Sequence, residues 1–358
     1  MITFPILPGV DINLYLLLFI GLGAGILSGF AGVGGAFVVT PALIVLGFPA
    51  SFAVGTSLSW VVGNSVVAVL RHRKLGNVDM KLGLVLLVAA MGGMEVGVRI
   101  LNWTRNIGLA DQVVLSIAIC MLLIVGGYTL SEGMVRKRRL DKMLARKEKL
   151  PPAMRATYLS QKLQSINITP MLHFAKSQVT ISLWIILAVG FFIGMLSGLI
   201  GVGGGFIMVP SLVYLIGLPS FMAVGTDLFQ IVFSAAYGCI RHTMSGNVII
   251  FAAFTMLVAS SIGVQFGALV TRYVRGVSVR ILLGISILLF AVGTILKLLG
   301  ILLEKGAIWL ETGSLVVTFG SIGLTVIMIL ALFIMALRYR SGQHIPTWAE
   351  SLVSRTIE

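Results

Sequence analysis

The chain has 358 residues, of which 58% are hydrophobic and 11% charged, and it carries a formal net charge of +14. A water-soluble globular domain has roughly 25% charged residues, so the composition excludes a soluble fold. Eleven of the 26 basic residues crowd into one polar segment, Glu132 to Lys176; that placement points to a membrane face and anionic lipid, not to nucleic acid.

The start, Met1 to Asn13, has no basic region ahead of the first apolar run. It predicts a retained span over 14–30 and no cleaved signal peptide. Apolar segments follow at 35–47, 52–70, 79–101 and 112–131, then at 180–199, 204–217, 222–240, 249–271 and 278–303, with a last unpaired run at 314–338. Several reach the ~20 residues that cross a ~30 Å hydrocarbon core. The ~10-residue alternation of barrel strands is absent. The segments 35–47 and 204–217 are too short to cross without tilt or thinning. With glycines before and Gly-x-Pro after, they read as half-helices or as the first arm of a re-entrant hairpin. The polar centre reads as a linker with room for one surface helix, and the tail after Arg340 as loose and polar. Cys120 and Cys239 sit inside apolar runs and suit neither a disulfide framework nor a metal site.

The chain repeats itself. Ser28-Gly-Phe-Ala-Gly-Val-Gly-Gly-Ala-Phe-Val-Val-Thr-Pro41 returns as Ser197-Gly-Leu-Ile-Gly-Val-Gly-Gly-Gly-Phe-Ile-Met-Val-Pro210. Gly47-Phe-Pro49 then answers Gly217-Leu-Pro219, and Ala53-Val-Gly-Thr56 answers Ala223-Val-Gly-Thr226. Arg71-His72 answers Arg241-His242, and Gly76-Asn-Val78 answers Gly246-Asn-Val248. The offset is 169 residues at first and 170 after one extra residue. An odd number of spans per copy makes the second copy enter from the opposite face. The expected fold is therefore an all-α polytopic membrane protein of two inverted-topology repeats, with glycine-broken short or re-entrant helices and about 9–11 membrane segments. Its parts are a first repeat (1–131), a basic cytoplasmic linker (132–177), a second repeat (178–303), and an extra span with a cytoplasmic tail (304–358). Basic residues at Arg71, Arg73, Lys74, Lys81, Arg275, Arg280 and Arg338 share the linker's side, which leaves the N-terminus outside and the C-terminus inside.

Glycines let a helix break and a ligand approach. In a membrane, such a break is tolerated only where neighbours or a wet cavity satisfy the backbone. Half-helices beginning after Gly35 and after Gly205 would aim N–H groups at the midplane from opposite sides, and helix N-termini hold anions. Gly32, Gly34, Gly35, Gly201, Gly203, Gly204 and Gly205 are the candidate backbone lining; tight helix packing is the competing reading. Thr56, Ser57 and Thr226 offer hydroxyls, either to an oxyanion or as helix caps. Asp227 replaces the hydroxyl of Ser57 deep in an apolar run, where a carboxylate is a functional candidate by default; capping and carrying a coupling proton both stand. Glu95 lies one turn before Arg99, in ion-pair reach; an internal ion pair and a role in proton coupling are its two readings. Arg71, His72, Arg241 and His242 mark where the third segment of each half exits, as gate residues or as headgroup markers. No nucleophile elbow, CxxC or metal-spaced cluster suggests an enzyme, and no cofactor is implied.

The elements Gly201-Val-Gly-Gly-Gly205, Val209-Pro210, Gly217-Leu-Pro219, Ala223-Val-Gly-Thr226 and His242 with Gly246-Asn-Val248 resemble the TauE/SafE sulfite exporter family. The resemblance covers both repeats. It implies a permease of the bacterial or archaeal cytoplasmic membrane whose partners are small sulfur oxyanions or sulfonates, with a coupling proton and lipid beside it; homo-oligomerisation is left open. An anion channel on the same scaffold, or a membrane assembly protein acting through its basic linker, are the alternatives. Asp227 departs from the family pattern, as does Ala36 where a third glycine is usual.

Overall fold

The computed structural model describes residues 2–4, 7–31, 35–74, 76–145, 168–271, 273–303, 308–341, 343, 346 and 352–353. In chain order the elements are β1 (Ile2–Phe4), β2 (Leu7–Ile12), α1 (Leu14–Ala31), α2 (Ala36–Val45), α3 (Ala50–Lys74), α4 (Met80–Asn106) and α5 (Ala110–Ala145). There follow β3 (Met171–Phe174), β4 (Val179–Ser182), α6 (Leu183–Ile200), α7 (Gly205–Ser211), which runs into a π turn at Leu212–Ile216, α8 (Ser220–Met244), α9 (Ile250–Val270), α10 (Gly276–Leu302) and α11 (Ile308–Arg340). Among the described residues, eight helices are long and apolar enough to cross a bilayer. Helices dominate because hydrocarbon leaves a backbone no partner but itself. The protein is an all-α multi-pass membrane protein.

The chain packs into two compact units, and each draws on both halves of the sequence. One contains Val33–Val114 and Arg155–Leu257. Here α4 and α6 run parallel on a seam of small residues. A Cβ added at Gly194 would lie 2.2 Å from the Ala90 carbonyl oxygen, and one at Gly97 would lie 2.1 Å from that of Met195. Only hydrogen fits there, and the close approach is the usual way apolar helices bind in lipid. Helices α3 and α8 run antiparallel: Gly55, near the start of α3, meets Asn247 beyond the end of α8, and Gly225 meets Asn77 beyond the end of α3.

The other unit contains Met1–Gly32, Leu115–Met154 and Val258–Glu358. Its α1 repeats the α4–α6 contact with the roles exchanged. Added Cβ atoms at Gly25 and Gly29 would lie 2.5 and 2.1 Å from the carbonyl oxygens of Ser260 and Val264 on α9. Helix α10 packs on α5 through Gly284 against Leu130, and on α11 through a Thr325–Ser286 hydrogen bond of 3.0 Å.

Three features differ from the sequence expectations. A β-hairpin precedes the first helix of each half, β1–β2 before α1 and β3–β4 before α6; four-residue strands are too short to show periodicity. Helix α5 continues to Ala145, past the apolar run, because its Arg- and Lys-rich turns are good helix formers. The tail is anchored: Leu352 O accepts from Arg275 N at 3.0 Å, and Val353 is fully buried against Tyr273, Met335 and Tyr339. The short α7 packs against both its predecessor α6 and its successor α8. Ile186 from the start of α6 shares one core cluster with Ile216 and Leu218 from the end of α7. With the π turn, α7 covers about 18 Å, too little to cross.

Candidate functional site

The site is built around two interrupted helices. Gly35 caps α2 at φ +65°, and Gly204 caps α7 at φ +86°. Gly201, at φ +78°, is doubly constrained, because an added Cβ would lie 2.7 Å from the Val54 Cα. Neither N-terminus has a side-chain cap among the described residues. Their first N–H groups are thus left for another partner. At the second residue of each helix, Phe37 and its counterpart Phe206 pack with tilted rings, their centroids 5.6 Å apart, which brings the two helix starts together. Pro41 and Pro210 occupy equivalent places in α2 and α7. Each lacks the N–H that would bond the carbonyl four residues back, so the backbone near Phe37 and Phe206 is opened from both directions. Gly32 and Gly34 lie outside the described residues.

The hydroxyls form a reciprocal pair. Thr56 Oγ1 accepts from Ile249 N at 3.1 Å, and Thr226 Oγ1 accepts from Asp79 N at 3.0 Å. Ile249 and Asp79 are themselves counterparts, each just ahead of a helix. Each threonine therefore pins the first turn of a helix from the other half. Thr56 and Thr226 are both fully buried, so their fixed role is to hold the scaffold.

At the next position the symmetry fails. Thr40 donates to Ser57 Oγ at 2.9 Å, tying α2 to α3. The corresponding residues on α7 and α8 are Val209 and Asp227. Valine has no hydroxyl to give, and Asp227 Oδ1, on a residue 1% exposed, has no hydrogen-bond partner among the described residues. One turn on, Gln230 donates to Ser234 at 2.8 Å while its Oε1 is also unpartnered. Trp60 Nε1 and Ser197 Oγ, both buried, are donors without partners among the described residues. Ser197 Cβ lies 4.0 Å from where a Gly204 Cβ would be, and Val61, next to Trp60, faces Gly203 at 2.8 Å on the same measure.

The outlying candidates have structural partners. Glu95 on α4 receives Arg241 of α8 as a two-pronged fork at 2.6 and 2.7 Å. It also accepts from Arg99 and Tyr237, each at 2.8 Å. All four donors satisfy one carboxylate, so Arg241 holds α8 to α4. His242 is fully buried and its Nε2–H donates to the Gly198 carbonyl at 3.1 Å, capping the end of α6. His72 is half-buried and partnered. The Arg71 side chain lies outside the described residues. Asn247 joins Asn102 at 3.1 Å and also binds Arg105.

This geometry agrees with what the chain matches. The family model for the sulfite exporter TauE/SafE aligns with residues 17–294. The chain belongs to that family. Similar proteins include the probable membrane transporter YunE of Bacillus subtilis strain 168, 26% identical over 76% of this chain and 94% of the relative. The probable membrane transporter YjnA of the same organism is 23% identical over 70% of this chain and 90% of the relative. The probable membrane transporter MJ0441 of Methanocaldococcus jannaschii is 27% identical over 55% of this chain and 60% of the relative. No solved structure matches the chain.

In this TauE/SafE protein, sequence reasoning did not single out Trp60, Ser197 or Gln230. The repeat held a usable signal: Trp60 stands opposite Gln230 in the alignment of the copies. Two unlike polar side chains at one internal position of an apolar pair mark a place where packing alone is not at work.

Proposed function

We propose that this TauE/SafE protein is a secondary transporter of small sulfur-containing anions, such as sulfite, thiosulfate or organosulfonates, acting by alternating access. The observation that carries the reading is the meeting of two uncapped half-helix starts at Phe37 and Phe206. Each start offers N–H groups and a positive dipole end, together a receptor for one tetrahedral or pyramidal anion. Ser197, beside Gly204, adds a side-chain donor whose alternative is to stay unsatisfied at about 1–3 kcal/mol. Membership of the sulfite exporter family supports the choice of substrate class.

Inverted topology is part of the proposal. Counterpart helices α3 and α8 run antiparallel, as copies inserted from opposite faces must. Basic residues put the 132–177 segment in the cytoplasm, the N-terminus outside and the C-terminus inside. Glu95 is assigned to scaffold, since four donors already satisfy it. Asp227 is assigned to coupling: its free oxygen can carry a proton across as the anion moves.

Uptake of radiolabelled thiosulfate, sulfite and a sulfonate into proteoliposomes tests the proposal. Saturable uptake that Gly204→Leu abolishes, in a protein that still folds, is expected. Absence of saturable uptake for every one of these anions sinks it.

A further inference from the structure

The unit of Met1–Gly32, Leu115–Met154 and Val258–Glu358 holds a cavity of its own. The cavity, of about 290 Å³, opens among α5, α10, α11 and the anchored tail. Ile281, Leu282, Met328, Leu332 and Met335 make its walls aliphatic, and Leu352 closes it where the tail is tied down. The cationic group at this cavity is Lys137. Its neighbour Arg136 is occupied by Glu132, as is Arg280 at 3.7 Å. Lys137 has no ion-pair partner among the described residues. It stands in the run Arg136-Lys137-Arg138-Arg139, where α5 leaves its apolar stretch; basic residues beside a span favour the headgroup region. An apolar slot with an unpaired ammonium at its mouth complements an amphiphile with an alkyl chain and a negative head.

We propose that this cavity binds one anionic phospholipid, with an acyl chain against the aliphatic walls and the phosphate on Lys137. The tail makes the site more than a surface groove. Ser278 lines the cavity and bonds the Leu352 carbonyl, so lipid and tail share one wall and stabilise each other.

The test is native mass spectrometry of the delipidated full chain, titrated with phosphatidylglycerol or phosphatidylcholine of identical acyl chains. One tight phosphatidylglycerol molecule is expected, bound about fivefold more strongly than phosphatidylcholine, the effect of one lysine near a phosphate. Lys137→Gln, a change that leaves the core untouched, should remove the preference. Leu332→Trp, which fills the cavity, should remove the tight molecule while thermal unfolding confirms a folded protein. Equal binding of the two lipids, a preference that survives Lys137→Gln, or a tight molecule retained in a folded Leu332→Trp variant overturns the proposal.

Discussion

Val209→Thr tests the broken symmetry at Asp227 directly. In the first repeat Thr40 donates to Ser57 at 2.9 Å; the substitution gives the second repeat the same donor opposite Asp227, in nearly the same volume. Hydrogen bonds between membrane helices average about 0.6 kcal/mol and reach about 1.7, while bonds to charged groups in soluble proteins give about 1.5–3 kcal/mol. An acceptor that is 1% exposed and has no other partner belongs at the upper end of the membrane range, so a coupling of about 1.5 kcal/mol is expected. The change must also be made in an Asp227→Ala background, where the new hydroxyl has nothing to bond and should cost about 1–3 kcal/mol. Unfolding of all four proteins in one detergent closes the double-mutant cycle. Transport should fall in Val209→Thr, because the oxygen assigned to coupling is then occupied. If Val209→Thr destabilises both backgrounds equally, the two residues do not face each other and the repeat symmetry fails at this point.

Two further predictions concern the scaffold. Gly194→Ala should cost about 1–3 kcal/mol by overpacking, since its Cβ would meet a backbone oxygen at 2.2 Å that cannot move aside. Gly127→Ala, with nothing within 4 Å of the new Cβ, should instead be neutral or slightly stabilising; thermal unfolding compares them, and equal losses would refute the seam. Glu95→Gln removes the charge behind three of its four hydrogen bonds, those from Arg241 and Arg99, with Glu95 20% and Arg241 30% exposed at the side chain. Partial exposure keeps the loss near 2 kcal/mol, and saturating substrate affinity should be unchanged if the pair is only scaffold.

Much of the fold was legible from pattern. Each apolar run became a helix near its expected place, because length and hydropathy act locally and lipid admits no other backbone solution. The repeat was legible because an offset is a property of sequence alone. What escaped is what depends on distant partners. Thr56 and Thr226 read as oxyanion donors or caps, and their lone pairs meet amides nearly two hundred and one hundred and fifty residues away, partners that the sequence does not disclose. Arg241 could be read as a gate, and the structure places it on Glu95. Short strands at 171–174 and 179–182 carry no period to detect.

Sequence by itself determined the membrane, the duplication and the glycine breaks, since each is written in composition, offset or residue type. Only the tertiary structure decided which polar groups are already spent. It paired Thr40 with Ser57 and left Asp227 Oδ1 without a donor among the described residues, where the second repeat has Val209 in place of Thr40. Satisfaction of a buried polar atom depends on what packs against it, and no residue's identity discloses its neighbour.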